Sequence, residues 1–341
     1  MPDSPEIDLL PEDAAGRNAW AAAMARVRRE TLEQSWAYGA AVAAVSRFRP
    51  QRWLIGPRDA PIGLAQAFVG PLGPACSPWK LVRLVRGPLF VPGLPAETRQ
   101  AALRAIRAAY PRGPLHRAQW LWWLPELNGG SLAEAEMAAL GMQQMVTGWS
   151  SLRLDLTLPA QQLRARLDGK WRNALKAAEK APLQIVEEWN DTAFAALMQA
   201  HDVQRIEKRF LGPDGAFYRA FAAACAPTAG TTGATRTTGA AGESAHLFTA
   251  YMGGQTEERP AAGLLVLRHG RGATYAAGWS GTAGRLLRAH HRLLWHALLA
   301  LQAMGVEHFD LGGANTEEGA GVARFKLGLN GEVFTLAGSY L

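Results

Sequence analysis

Lysine is rare in this chain, so its positions are informative. Of 36 basic residues only six are lysines (Lys80, Lys170, Lys176, Lys180, Lys208 and Lys326), and three of these fall in the run KWRNALKAAEK, residues 170–180. Uniform scatter would place roughly 0.2 of a lysine there. A helix is expected over Pro159–Lys180. At 3.6 residues per turn, Arg166, Lys170, Asn173 and Lys180 lie along one stripe of it, with Arg172 and Lys176 beside the stripe. Leu163, Leu167, Leu175 and Ala178 then form the core-facing side. Two readings stand for the charged side: a solvated surface, or a face that tracks the phosphate oxygens of RNA or a pyrophosphate.

The last lysine sits in HFDLGGANTEEGAGVARFKLGLNGE, residues 308–332. A strand ends near Asp310, and Gly312-Gly313 permit a sharp turn or a close backbone approach to a ligand. Phe325-Lys326 then places an ammonium among apolar residues, where it stays charged only beside a partner or water. It is either a structural pair or a catalytic group. A third region, ATYAAGWSGTAGRLLRAHHRLLW at residues 273–295, joins a strand to a helix through Gly281 and Gly284, followed by Arg285 and Arg288. Such turns bind anions when their amides point outward. His290, His291 and His296 follow without an i+4 partner, so they read as solvated or capping residues and not as metal ligands.

Other chemistries find no foothold. There is no CxxC or HExxH spacing, nucleophile elbow, P-loop, dinucleotide fingerprint or kinase signature, so no metal site is expected. The two cysteines, Cys76 and Cys225, read as buried small hydrophobes. Of the twelve tryptophans, Trp120, Trp122 and Trp123 cluster on one expected strand, as core or as walls that could stack a base or sugar. The net charge of +7 admits an anionic partner: RNA, a nucleotide-sugar or an anionic membrane surface. No apolar run is long enough to span a bilayer, and the acidic N-terminus lacks the pattern of a signal peptide, so a cytoplasmic location with at most peripheral membrane contact is expected.

The elements that must position these residues read as α/β (α+β) in two halves. Residues 1–14 form a loose acidic leader. An N-terminal domain, 15–150, has helices at Arg17–Arg29 and Leu32–Tyr38 and strands at Ala41–Val45, Arg52–Ile55, Gly63–Val69, Lys80–Val85 and Leu89–Val91. A helix over Pro95–Tyr110 and a strand over Gln119–Leu124 follow. A C-terminal domain, 151–341, repeats the plan around a Gly/Thr/Ala-rich loop at 226–245, then strands His246–Met252, Ala261–Arg268 and Ala273–Trp279, a helix Ala289–Met304 stopped by Gly305, and a strand Glu307–Leu311.

Six segments in order resemble the FemA/FemB/FemX (FemAB) aminoacyltransferase family of the GNAT superfamily. They are LEQSWAYG (Leu32–Gly39), RGPLF (Arg86–Phe90), LRLDLTLP with KWRNALKAAEK, Ala273–Gly278, FDLGG and GVARFK. The resemblance implies two tandem GNAT-like domains with a cleft between them. It also implies transfer of an amino acid from aminoacyl-tRNA to an amine, classically on a UDP- or lipid-linked muropeptide, without a cofactor. Phe325-Lys326 would lie by the reacting ester, Lys326 donating to the oxyanion or the leaving ribose oxygen. Trp36, Tyr38 and Arg205 would help hold the acceptor, and Lys170, Arg172, Asn173, Lys176, Asp310, Gly312 and Gly313 complete the expected binding set. Asp310 and Glu317 stay open as general bases. Two departures matter. No long charged insertion supplies a tRNA-binding arm, and the glycines after Trp279 do not match the coenzyme A pyrophosphate loop R/Q-x-x-G-x-G/A, which counts against acetyl-CoA. An N-acyltransferase using acyl-CoA or an acyl carrier, and a non-catalytic RNA- or nucleotide-binding module, remain as alternatives.

Overall fold

A computed structural model describes residues 5–74, 78–111, 119–207, 212–225, 242–253, 260–313 and 320–341. The chain divides into two compact units: Met1–Trp149 with Thr335–Leu341, and Ser150–Phe334. Cys76, Lys208, Glu317 and residues 226–241 of the low-complexity stretch lie outside the described residues.

The first unit contains β1 (Ile7–Leu9), α1 (Ala14–Met24), a 3-10 turn (Leu32–Gln34), α2 (Trp36–Val45), β2 (Arg49–Ile55), β3 (Gly63–Pro71), β4 (Lys80–Val85), β5 (Leu89–Phe90), α3 (Ala96–Ala108), β6 (Gln119–Leu124), α4 (Ser131–Ala138) and β7 (Gln144–Val146). Its sheet runs β1-β2-β3-β4-β6-β15-β7, with β5 beside β3 and β15 (Ser339–Tyr340) supplied by the C-terminal residues. One core, under α3 and α4, joins Ala65, Val82, Leu84, Ile106, Leu121, Trp123 and Met137. The other joins Trp20, Met24, Trp36, Leu54 and Leu64 under α1 and α2.

Three expectations are corrected in this unit. Residues 1–14 are not all loose: Ile7–Leu9 pairs with Trp53–Ile55, and Asp13 caps α1. Ala41–Val45 is not a strand but the end of α2. Ser35 Oγ caps that helix by accepting from the Tyr38 amide, and Ala37 and Ala41 are buried without the branched side chains a strand prefers. Finally, residues 335–341 return to the first sheet, where the buried Tyr340 pairs with Trp123.

The segments LEQSWAYG and RGPLF meet here. Gln34 Nε2 donates to the carbonyls of Gln66 (3.1 Å) and Val85 (2.8 Å), and its Oε1 accepts from the Gln66 amide (2.6 Å). Arg86 holds Glu126 through two bonds of 2.7 and 2.9 Å, while Thr31 donates to the Arg86 carbonyl. Buried backbone groups that the turns leave over are thereby paired by side chains.

The second unit contains β8 (Ser150–Asp155), α5 (Ala160–Arg166), α6 (Gly169–Lys180), β9 (Leu183–Glu187), α7 (Asp191–Glu207), α8 (Gly215–Cys225), β10 (Glu243–Met252), β11 (Ala262–His269), β12 (Gly272–Ser280), α9 (Thr282–Leu286), α10 (Ala289–Ala303), β13 (His308–Gly313), α11 (Ala320–Leu327) and β14 (Glu332–Thr335). The sheet order is β14-β8-β13-β12-β11-β10-β9. Leu293, Leu294, Ala297, Leu298 and Leu301 recur at helical spacing on α10 and bury against Leu264, Val266, Phe309 and Leu175. Each unit thus ends an antiparallel run in a parallel pair: β4 and β6, joined through β5 and α3, and β12 and β13, joined through α9 and α10.

Two more expectations change. β10 begins at Glu243, inside the stretch expected to be loop to residue 245. The single helix over Pro159–Lys180 is two, because the chain turns extended at Leu167 and Asp168. The Asp168 carboxylate then caps α6 by accepting from the amides of Lys170 (2.8 Å) and Trp171 (3.4 Å).

Candidate active site

The parallel pairs of the two units differ. In the first, β4 and β6 pair along their whole length, from Lys80↔Gln119 to Val85↔Leu124. In the second, β12 and β13 pair only from Gly272↔His308 to Thr274↔Asp310. The cause is visible on the other edge of β12. Leu265 faces Ala277 but the next residue, Val266, faces Tyr275, so Ala276 is an extra residue. A bulge bends its strand and ends regular pairing, and here the Ala276 carbonyl accepts from Tyr218 Oη (3.1 Å) instead. Beyond Thr274 the two strands therefore separate.

Lys326 lies at this opening. It is 7% exposed on α11, and its Nζ donates to the Gly313 carbonyl at 2.9 Å. The ammonium also stands 5.4 Å from the centre of the Tyr275 ring. Burial pushes its pKa down to about 8, partly opposed by the charge of Asp310. Among the described residues, Gly313 O is the one hydrogen-bond acceptor of Nζ, so further donors of the ammonium are available to a substrate oxygen.

Gly312 and Gly313 are placed by Asp310. This buried carboxylate accepts from Ser151 Oγ (2.6 Å) and from the Gly312 amide (2.8 Å). Gly312 is left-handed (φ 71°), and a Cβ there would stand 3.7 Å from Nζ and 3.8 Å from the Tyr275 carbonyl. These bonds make Asp310 the holder of the turn that carries the lysine's acceptor.

Aromatic groups line the base of the opening. Tyr275 Oη lies 2.9 Å from His290 Nε2. Phe325 packs 5.4 Å from His290, 4.9 Å from His291 and 5.8 Å from Trp171, ring centre to ring centre. Burial, with His291 alongside, pushes the His290 pKa down to about 4, and burial pushes Tyr275 up. At neutral pH the phenol therefore keeps its proton and the imidazole is neutral, and the two share one hydrogen bond. His290 and His291 are thus half-buried and packed against Phe325, not fully solvated as expected. The exposed His296 fits the expectation. Sequence reasoning missed Tyr275, His290 and Trp171, although Gly278, a glycine inside a strand, signalled a close approach. A Cβ on Gly278 would meet Tyr275 Oη at 1.8 Å and His290 Cε1 at 2.7 Å. Gly278→Ala should therefore separate the pair and cost about 1–3 kcal/mol by overpacking. Calorimetric unfolding checks this, and an unchanged melting temperature would mean the pair moves freely.

The three singled-out regions all contribute to this site: Trp171 from the lysine-rich helix, Tyr275 and His290 from the strand–turn–helix, and Asp310, Gly312, Gly313, Phe325 and Lys326 from the C-terminal run. The lysine-rich face itself contributes little. With the helix broken, Arg166 belongs to α5, and the continuous stripe is lost. Lys170, Asn173 and Lys176 are exposed, and Arg172 reaches only the Ala165 carbonyl at 3.4 Å. Arg205 on α7 pairs with Asp202 at 3.4 Å. Trp36 and Tyr38 belong to the first unit. Trp36 is 8% exposed beneath the Arg52 guanidinium (3.7 Å), and Tyr38 packs on Phe68.

Residues 162–327 match the family model described as Acetyltransferase (GNAT) domain. Among solved structures the chain is similar to FemX, with a TM-score of 0.76 and 13% identity over 98% of this chain and 96% of that one. It is also similar to L-PGS from Bacillus licheniformis (TM-score 0.53, 12% identity, 97% and 92% covered). A tandem GNAT protein from the clavulanic acid biosynthesis pathway gives 0.51 and 13% over 98% of both chains. No curated protein sequence matches the chain. The fold is a tandem pair of GNAT units, as the resemblance implied.

Proposed function

From the premise that this chain is a tandem GNAT-fold protein of the FemX type, we propose that it is an aminoacyltransferase. It would move an amino acid from aminoacyl-tRNA to a primary amine of a cell-wall precursor peptide. The observation that carries this reading is the buried Lys326 ammonium at the separated β12–β13 pair, with Gly313 as its acceptor. An aminoacyl ester is already activated, so catalysis consists of alignment and oxyanion stabilisation. The neutral amine attacks the ester carbonyl carbon and a C–N bond forms. Lys326 donates a hydrogen bond to the developing oxyanion, the C–O bond to the ribose breaks, and the amine's proton ends on the ribose oxygen. No covalent enzyme intermediate is needed.

The connection after β12 supports a donor other than acyl-CoA. The one-turn helix α9 intervenes between β12 and α10. A Cβ on Gly284 would lie 2.2 Å from the Ala261 carbonyl oxygen, so this glycine serves close packing. Gly281 N–H is used by that same carbonyl (2.9 Å), and Arg285 Nη1 turns back onto the Ser280 carbonyl (2.8 Å). The Gly281 amide and the Arg285 guanidinium are thus both turned onto carbonyls of the chain itself. The test is direct: purified protein is given charged tRNA or acetyl-CoA together with muropeptide amines, and products are weighed by mass spectrometry. Aminoacylated peptide from the tRNA donor alone is expected. Acetylated product from acetyl-CoA alone would overturn the donor assignment.

A further inference from the structure

In the first unit, α1 and α2 pack over β2 and β3, and Tyr38 of α2 lies on Phe68. The same face continues onto β4 and β6. The registers Phe68↔Arg83, Leu81↔Trp120 and Arg83↔Trp122 place these side chains on one side of the sheet, because paired residues share a face. Their neighbours Val82, Leu84, Leu121 and Trp123 point into the core and are buried. On the outer side, Trp120 is 39% and Trp122 is 41% exposed, and Trp79, the residue just before β4, is 47% exposed. Large aromatics repeated about 6.8 Å apart along an open strand are not needed by the core, which is filled from the opposite face.

The charge around this face has one sign. Residues 44–49, 68–74, 78–83 and 119–124 contain Arg47, Arg49, Lys80 and Arg83 and no carboxylate; Arg83 shares the side of Trp120 and Trp122, while Lys80, paired with Gln119, lies on the other side at the end of β4. Arg83 lies over the Phe48 ring at 5.4 Å, which keeps its guanidinium beside the aromatic surface. Exposed tryptophans with an interspersed arginine match the boundary between headgroups and acyl chains, where indole rings settle and cations meet anionic lipid. Leu81, between Trp79 and Arg83, adds an aliphatic contact that base stacking would not require. We propose that the outer face of β4 and β6 is a docking surface for an anionic membrane, which would hold the enzyme against acceptors presented there. The surface stands on its own observations and does not depend on the acyl-donor assignment.

The test is co-sedimentation of the full chain with phosphatidylglycerol/phosphatidylcholine vesicles and with phosphatidylcholine vesicles alone, with RNA retention measured in parallel. The wild-type protein should pellet with the anionic vesicles and release in high salt. Trp120→Ala/Trp122→Ala should weaken binding about tenfold or more, since two large apolar side chains are lost from the interface. Arg83→Glu should weaken it on anionic vesicles only. Unfolding temperature controls for damage to the fold. The proposal is overturned if the wild type ignores anionic vesicles, if the double variant binds as the wild type does, or if the substitutions abolish RNA retention and leave vesicle binding intact.

Discussion

Lys326→Met is expected to lower aminoacyl transfer by about 10²–10³-fold, the usual cost of losing one oxyanion donor. The same substitution should make the protein more stable at pH 7. The ammonium is held at the opening with a pKa lowered to about 8, from an ordinary value of 10.5, because burial disfavours its charge. Between those values the unfolded chain binds more protons than the folded one, so native stability rises with pH through that window. Below about 8 the full penalty is present, and removing the charge relieves it. The gain is on the order of 1–3 kcal/mol and should shrink towards zero as pH passes 10.5, above which both states are neutral. Denaturant titrations at pH 7 and pH 10.5 read this directly. A variant that loses activity and also loses stability at pH 7 would make Lys326 a structural residue.

Asp310 gives the second large effect, and two variants separate its parts. Asp310→Ala removes the acceptor shared by Ser151 Oγ and the Gly312 amide. It should cost about 2–3 kcal/mol, because a buried hydroxyl and a half-buried amide lose their partner together. It should also release the Gly312–Gly313 turn on which Lys326 rests, with transfer falling about 100-fold through lost alignment. Asp310→Asn keeps an oxygen in the same place without the charge. Its stability should stay near wild type, while the lysine, no longer supported by a neighbouring anion, loses its proton at a lower pH. Transfer by Asp310→Asn should therefore persist at pH 6–7 and decline earlier as pH rises. Complete loss of activity at every pH in a stably folded Asp310→Asn protein would instead identify the carboxylate as the base.

The parts of this arrangement that depend on composition and local pattern were legible in the sequence. Lys326 stood out because lysine is scarce, and Gly312-Gly313 because two glycines after a strand leave few alternatives. The alternation of buried and open residues along β6 separated Trp123 from Trp120 and Trp122 only once the register fixed which face was inward. What stayed hidden depends on contacts between distant segments. Tyr275 and His290 are ordinary residues for a strand and a helix start; only the bulge at Ala276 and the gap at Gly278 bring them together. The break at Asp168 competes with good helix formers on both sides, and one carboxylate serving two amides decides it. Apolar periodicity alone cannot distinguish α2 from a strand when the residues are mostly alanine. Tyr340 joins a strand more than two hundred positions earlier, which no local window registers.

The central claim is that a positively charged Lys326 assists the acyl-transfer step. Single-turnover transfer from charged tRNA, followed against pH for the wild type and for Lys326→Arg, tests it most directly. The wild-type rate should rise as the acceptor amine loses its proton, then fall as pH passes about 8, where Lys326 loses its own. Arginine stays charged throughout this range, so a Lys326→Arg enzyme, though slower, should keep rising where the wild type turns down. Profiles of the same shape for both proteins would contradict the account.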